Sequence, residues 1–229
     1  MLVKDYMTRH PIMIDPGRRV IEAQRLMAEN NIRHLPVVGD GKRLLGLITR
    51  QRLAFRPDQL GSMDVWELTR YLADLTVSQA MIAGGDLHTI GPDATVEEAA
   101  DLMIAHKISG VPVVEQGDIV VGIITETDLL IELRNLLGAI DPGWRVVMRV
   151  PDRDGEFRRL IRVISDNGWG IMALGSVRSP RQADHWDLIV KVRHADRDAL
   201  VAALSRIEGQ QLVDLRETTS HLRETEGRS

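Results

Sequence analysis

The feature that most constrains this chain is that it repeats itself. A displacement of 76 residues lays Pro16–Leu53 on Pro92–Leu129 without a gap. In that register Pro16/Pro92, Val20/Val96, Glu22/Glu98, Ala23/Ala99, Leu26/Leu102, Met27/Met103 and Ile32/Ile108 coincide. So do Pro36-Val-Val38 with Pro112-Val-Val114, Gly46 with Gly122, Ile48-Thr49 with Ile124-Thr125, and Leu53 with Leu129. Upstream, Val3-Lys-Asp-Tyr-Met7 echoes Val77-Ser-Gln-Ala-Met81 at a displacement of 74, a two-residue slip expected to fall in a loop.

Each copy reads as short strand, helix, strand, tight turn, strand, helix. Ile12–Ile14 and His88–Ile90 run into Asp15-Pro16 and Gly91-Pro92, which end an extended segment. Val20, Ala23 and Met27, and Val96, Ala99 and Met103, then recur at helical spacing. Leu35–Val38 and Val111–Val114 read as buried strands, and Gly39–Gly41 and Gln116–Asp118 turn them into Leu44–Ile48 and Val120–Ile124. The second helices begin at Thr49 and Thr125, and Ser62–Leu75 reads as a helix connecting the copies. The repeat ends at Gly138–Gly143, where charge also changes: residues 1–143 hold 14 basic and 20 acidic side chains, residues 144–229 hold 15 and 13. The second segment predicts a βαββαβ order with strands at Arg145–Val150, Ile171–Val177, Trp186–Arg193 and Leu212–Leu215 and helices at Gly155–Asn167 and Arg197–Ile207. Thr218–Ser229 is polar and expected to fray.

Two units of the form Val-x-x-x-Met, apolar-Pro-Val-Val and Gly-Ile/Leu-Ile-Thr-x-x-(Asp)-Leu resemble tandem CBS domains, which form a Bateman module. The strand Arg145–Val150 running into Asp152-Arg-Asp-Gly155 and a helix is similar to ACT domains, and the order CBS, CBS, ACT is similar to acetoin-utilisation regulatory proteins. The expected fold is thus α/β (α+β): CBS repeats at 1–60 and 77–137, a connecting helix at 61–76, a ferredoxin-like ACT domain at 144–217 and a flexible tail at 218–229.

Thr125-Glu-Thr-Asp128 has two readings. A threonine at a helix start with an acid three residues on is a capping box; a carboxylate at the mouth of a cleft also accepts both hydroxyls of a ribose. The CBS resemblance implies the second, with AMP, ADP, ATP or S-adenosylmethionine as ligand. Gly110-Val111-Pro112 is the expected adenine slot, Thr89 joins that site, and Arg33, His34, Arg50, Arg52 and Lys107 are candidates for phosphates. In the first copy Arg52 replaces the aspartate, which removes the ribose acceptor and favours phosphate, so the two clefts are expected to be unequal. The ACT resemblance implies a small amino acid near Asp152, Asp154, Gly155 and Phe157; a domain that only dimerises is the alternative.

Composition narrows the function classes. The chain has no cysteine, 3% aromatic residues and a formal charge of −4, which argues against cysteine-ligated metals, stacking platforms and general DNA affinity. No His-x-x-x-His spacing suggests a metal, no phosphate-binding glycine loop or nucleophile–base pairing suggests an enzyme, and no basic stripe suggests a nucleic-acid regulator. Apolar runs are too short for a membrane span and the N-terminus has no secretory pattern, so a cytoplasmic protein is the default expectation. What remains is a regulatory ligand sensor without resident cofactor, or a ligand-free dimerisation or interaction protein. Trp66, Leu68, Tyr71, Leu72 and Leu75, with Leu129, Leu130, Leu133, Leu136 and Leu137, carry more apolar helix than one unit buries, which points to a homodimer.

Overall fold

The computed structural model describes residues 1–53 and 74–218. The chain divides into two compact units, Met1–Leu129 and Leu130–Ser229. The connecting helix expected at 61–76 lies largely outside the described residues, as do Trp66, Leu68, Tyr71, Leu72 and the tail beyond Thr218. No helix among the described residues is long and apolar enough to cross a membrane.

The first unit carries the repeat. Its first copy supplies α1 (Val3–Tyr6), β1 (Thr8–Arg9), α2 (Val20–Glu29), β2 (His34–Val38) and β3 (Leu44–Thr49). The second supplies α3 (Val77–Ala80), α4 (Val96–His106), β4 (Gly110–Glu115), β5 (Ile119–Thr125) and α5 (Glu126–Leu136). α4 starts at a capping box, Thr95 N–H donating to Glu98 Oε2 at 2.7 Å and Glu98 N–H to Thr95 Oγ1 at 3.1 Å. The strands expected at Ile12–Ile14 and His88–Ile90 shrink to single parallel bridges, Ile14 to Val37 and Ile90 to Val113. The prolines two residues beyond leave no room for a longer ladder.

The two copies exchange their opening segments. Val3 N–H donates to Ala94 O at 2.8 Å and Lys4 N–H to Pro92 O at 2.9 Å, while Val77 N–H donates to Arg18 O at 2.8 Å and Ser78 N–H to Pro16 O at 3.0 Å. Val3 is buried in the core of Ala99, Met103, Val111, Val113 and Ile124, and Val77 in that of Ile14, Ala23, Leu35, Val37 and Ile48. Each fully buried valine contributes on the order of 1.5–3 kcal/mol, and each does so in the core of the other copy. The repeated glycines make this possible. A Cβ on Gly122 would lie 2.3 Å from Met7 Sδ, and one on Gly46 would lie 2.6 Å from Met81 Sδ and 2.7 Å from Ile82 O. The exchange carries Thr8 and Arg9 onto Ile123 and Gly122 of β5, and so sets the segment through Ile12 beside the start of α5.

The second unit contains β6 (Gly143–Pro151), α6 (Glu156–Asp166), β7 (Gly170–Arg178), β8 (His185–Arg193), α7 (Arg197–Leu204) and β9 (Gln211–Thr218). The sheet is antiparallel with order β7-β8-β6-β9. Val146, Met148 and Val150 of β6 and Leu188, Val190 and Val192 of β8 pack on Leu160, Ile164, Leu200 and Leu204 of the helices. This follows the two-residue strand period and the i, i+4 helix period. The alternate positions are not simply solvated: Arg149 and Asp187, opposite each other in the register, form a buried bidentate pair at 2.8 and 3.0 Å. The guanidinium holds the Asp187 carboxyl below the usual carboxylate range against the opposing pull of its burial.

Candidate functional site

Two clefts lie between the copies of the first unit, each with a repeat-related threonine at the end of a strand, Thr49 of β3 and Thr125 of β5. The Thr125 cleft encloses about 380 Å³ between the start of α5, the segment Thr8–Ile12 and the entry to β2 at Ile32–His34. Thr125 and Asp128 are half-buried on its wall. Asp128 Oδ2 accepts from Thr125 N–H and Thr125 Oγ1, both at 2.8 Å. The hydroxyl therefore donates to the carboxylate, and these bonds do not use Oδ1. Ile12, Ile32 and Ile123 supply an apolar surface, and Arg33, whose side chain donates to Thr127 Oγ1 at 3.3 Å, supplies positive charge.

The Thr49 cleft, about 280 Å³, is lined by Thr49, Arg50, Lys107, Ser109 and Gly110, together with Asp86, His88 and Glu126. Here the threonine hydroxyl is engaged by the turn that follows the strand: Arg52 N–H donates to Thr49 Oγ1 at 3.2 Å. Arg52 itself is exposed and does not line the cleft; Arg50 does.

Arg33 and His34 line both clefts. His34 is 8% exposed, its Nε2 lies 2.9 Å from Ser109 Oγ, and a Cβ on Gly110 would come within 3.0 Å of its ring. Positions 34 and 110 are repeat equivalents, so the copies meet where one carries a ring and the other nothing. Burial, reinforced by the Arg33 charge and opposed by Asp128, pushes the imidazole down to about 4, and it is neutral at pH 7.

The expected site residues are thus divided. Thr125, Asp128, Arg33 and His34 come together. Gly110 lines the other cleft, Val111 and Pro112 are buried in β4 with Val111 in the core, and exposed Thr89 lines neither cleft, its neighbour His88 doing so instead. The apolar surface of the Asp128 cleft comes from Ile12, which follows the exchanged opening segment, from Ile32 of the first copy and from Ile123 of β5. Ile32 and His34 hold the repeat positions of Ile108 and Gly110, which line the Thr49 cleft as these two line the Thr125 cleft. A stacked pair that sequence reading missed, His88 on His106 with ring centroids 3.6 Å apart, borders the Thr49 cleft.

In the second unit, Asp152 does not stand open. Its Oδ1 accepts from Trp186 Nε1 at 2.9 Å and its Oδ2 from Arg178 at 3.3 Å, and the Arg178 guanidinium sits 4.7 Å from the centre of a Trp186 ring. Asp154 is exposed, Phe157 is partly exposed, and Gly155 enters α6 at φ +88°, a left-handed conformation open to glycine.

The CBS domain family matches residues 3–56 and 77–135. The CBS domain-containing protein YhcV of Bacillus subtilis is 30% identical over 56% of this chain and 83% of its own length. A solved structure of a candidate acetoin utilization protein from Vibrio cholerae is 31% identical over 60% of this chain and 93% of that one, with a TM-score of 0.50. The CBS domain pair of protein MJ0100, solved with 5′-methylthioadenosine and S-adenosyl-L-methionine, is 29% identical over 59% of this chain and 97% of that one, with a TM-score of 0.48. The chain belongs to the CBS-domain family, with the two domains in tandem. It spans only 22% and 46% of two archaeal relatives that it matches at 31% and 34% identity, and several matched relatives carry the names of enzymes.

Proposed function

We propose that this chain is a regulatory ligand sensor that binds an adenosine nucleotide or S-adenosylmethionine in its Thr125 cleft. The observation that carries the reading is Asp128: its carboxylate is fixed through Oδ2 by Thr125 while the rest of the group faces a cleft with an apolar wall. A carboxylate so fixed accepts ribose hydroxyls without first being ordered, an adenine fits against Ile12, Ile32 and Ile123, and Arg33 serves a phosphate or carboxylate. Calorimetry with AMP, ADP, ATP and S-adenosylmethionine tests this. At least one is expected to bind with one site per chain, and no heat from any at millimolar concentration overturns it.

The second unit reads as an ACT-like domain with the ferredoxin-like fold, supported by its βαββαβ order and its β7-β8-β6-β9 sheet. A small amino acid would enter at the Asp152–Phe157 turn, where the ammonium must use Asp154 or displace Arg178 from Asp152. The chain also reads as a homodimer, supported by α5, on which Leu130, Leu133 and Leu136 are 65%, 51% and 54% exposed.

A further inference from the structure

The left-handed position that follows each copy's opening segment is filled differently in the two copies. At the displacement of 74, His10 falls on Gly84, and both adopt that backbone, φ 50° and 64°. Glycine enters this conformation freely, whereas a residue with a Cβ does so at a cost, and such residues collect where a side chain has a task. The second copy takes the residue without the cost; the first keeps an imidazole, and that imidazole lines the Thr125 cleft with Asp128 and Arg33. Among the described residues nothing bonds to the His10 ring, and Arg33, which donates to Thr127 Oγ1, pairs with no carboxylate. The other ring in the cleft, His34, is engaged by Ser109. Among the described residues lining the cleft Asp128 is the single carboxylate, and Thr125 holds one of its oxygens.

These groups discriminate between the possible ends of an adenosine ligand. A phosphate is met by N–H donors, which the Arg33 guanidinium and the His10 ring supply. A sulfonium with an amino-acid tail brings two positive groups. Once Asp128 holds the ribose, the described residues of the cleft offer these neither a second carboxylate nor the face of a phenylalanine, tyrosine or tryptophan. We propose that His10 is a specificity-determining residue of the Thr125 cleft, which with Arg33 selects an adenosine ligand ending in phosphate over one ending in a sulfonium. The assignment rests on the nucleotide reading and narrows it: the first copy keeps a strained histidine at position 10 because its ring N–H donates to the phosphate.

The test is calorimetry of the full chain with AMP, adenosine and S-adenosylmethionine, together with melting of the ligand-free protein. AMP is expected to bind at least tenfold tighter than either of the others. His10→Gly installs the residue that the second copy carries in this backbone conformation. It is expected to melt at or above the wild-type temperature and yet to lower the ratio of AMP to adenosine affinity at least fivefold. Arg33→Gln is expected to lower the same ratio at least tenfold. S-adenosylmethionine bound as tightly as AMP, or a His10→Gly protein with an undiminished ratio, overturns the proposal and leaves the nucleotide reading standing. So does a His10→Gly protein that melts below the wild type, since the ring would then be a packing group of the fold. No heat from any of the three ligands at millimolar concentration overturns both.

Discussion

Acidification isolates His34, because the folded and unfolded chains hold its proton with different affinity. Unfolded, an imidazole titrates near 6.5; in the folded protein, burial and the neighbouring Arg33 push it down to about 4. A depressed histidine favours the neutral form, so above pH 6.5 it takes nothing from stability. As pH falls through 6.5 the unfolded chain binds a proton that the folded chain refuses, and the loss levels off below 4. Linkage puts the penalty at roughly 1 kcal/mol at pH 6, about 2 at pH 5 and about 3 at pH 4. Urea denaturation of the wild type and His34→Gln between pH 7.5 and 4 measures it. Carboxylate titrations elsewhere are common to both proteins and cancel in the difference, which is expected to grow toward acid in favour of the variant by those amounts. Parallel stability profiles would refute the reasoning and mean that the His34 ring is hydrated or carries its proton against Ser109.

Gly46→Ala is expected to destabilise the first unit by about 1–3 kcal/mol and by more than Gly122→Ala. Its new methyl group meets the backbone carbonyl of Ile82, which accepts from Leu47 N–H, whereas at Gly122 it meets only the flexible side chain of Met7; denaturant midpoints of the two variants give the comparison. Light scattering is expected to return twice the 25.6 kDa chain mass in the micromolar range, and Leu130→Glu/Leu133→Glu to return the single mass; a wild-type monomer would leave the exposed face of α5 unexplained.

Much of this architecture was legible in the chain because periodicity survives without tertiary knowledge. The spacing of Val20, Ala23 and Met27, the matched Pro-Val-Val strands and the alternation of Trp186, Leu188, Val190 and Val192 correspond to elements that bury most of those residues and leave Trp186, Val38 and Val114 half-buried. The exchange of opening segments was not legible. Val3 and Val77 are equally apolar, and a repeat cannot say in which copy's core either one is buried. Gly110-Val111-Pro112 belongs to Thr125's own copy, whereas the residues that share the cleft with Asp128 include Ile12, Ile32 and His34 of the other copy. The engagement of Asp152 by Trp186 and Arg178, and the burial of Arg149 with Asp187, were equally hidden, since polar residues at alternate strand positions read as solvated until their partners are known.

The central claim is that Asp128 holds a ribose rather than only capping α5, and a thermal shift decides it. A ligand at a hundredfold excess over its dissociation constant adds about 2.7 kcal/mol to the folded state, which is roughly 5–10 °C for a domain of 150–250 residues and more if the smaller first unit unfolds by itself. The wild type is expected to shift by this much with AMP, ADP, ATP or S-adenosylmethionine. Asp128→Asn, measured against its own ligand-free melting point because the amide also weakens the helix start, is expected to lose most of that shift. A variant that shifts as far as the wild type would contradict the account and leave Thr125 and Asp128 as a helix cap.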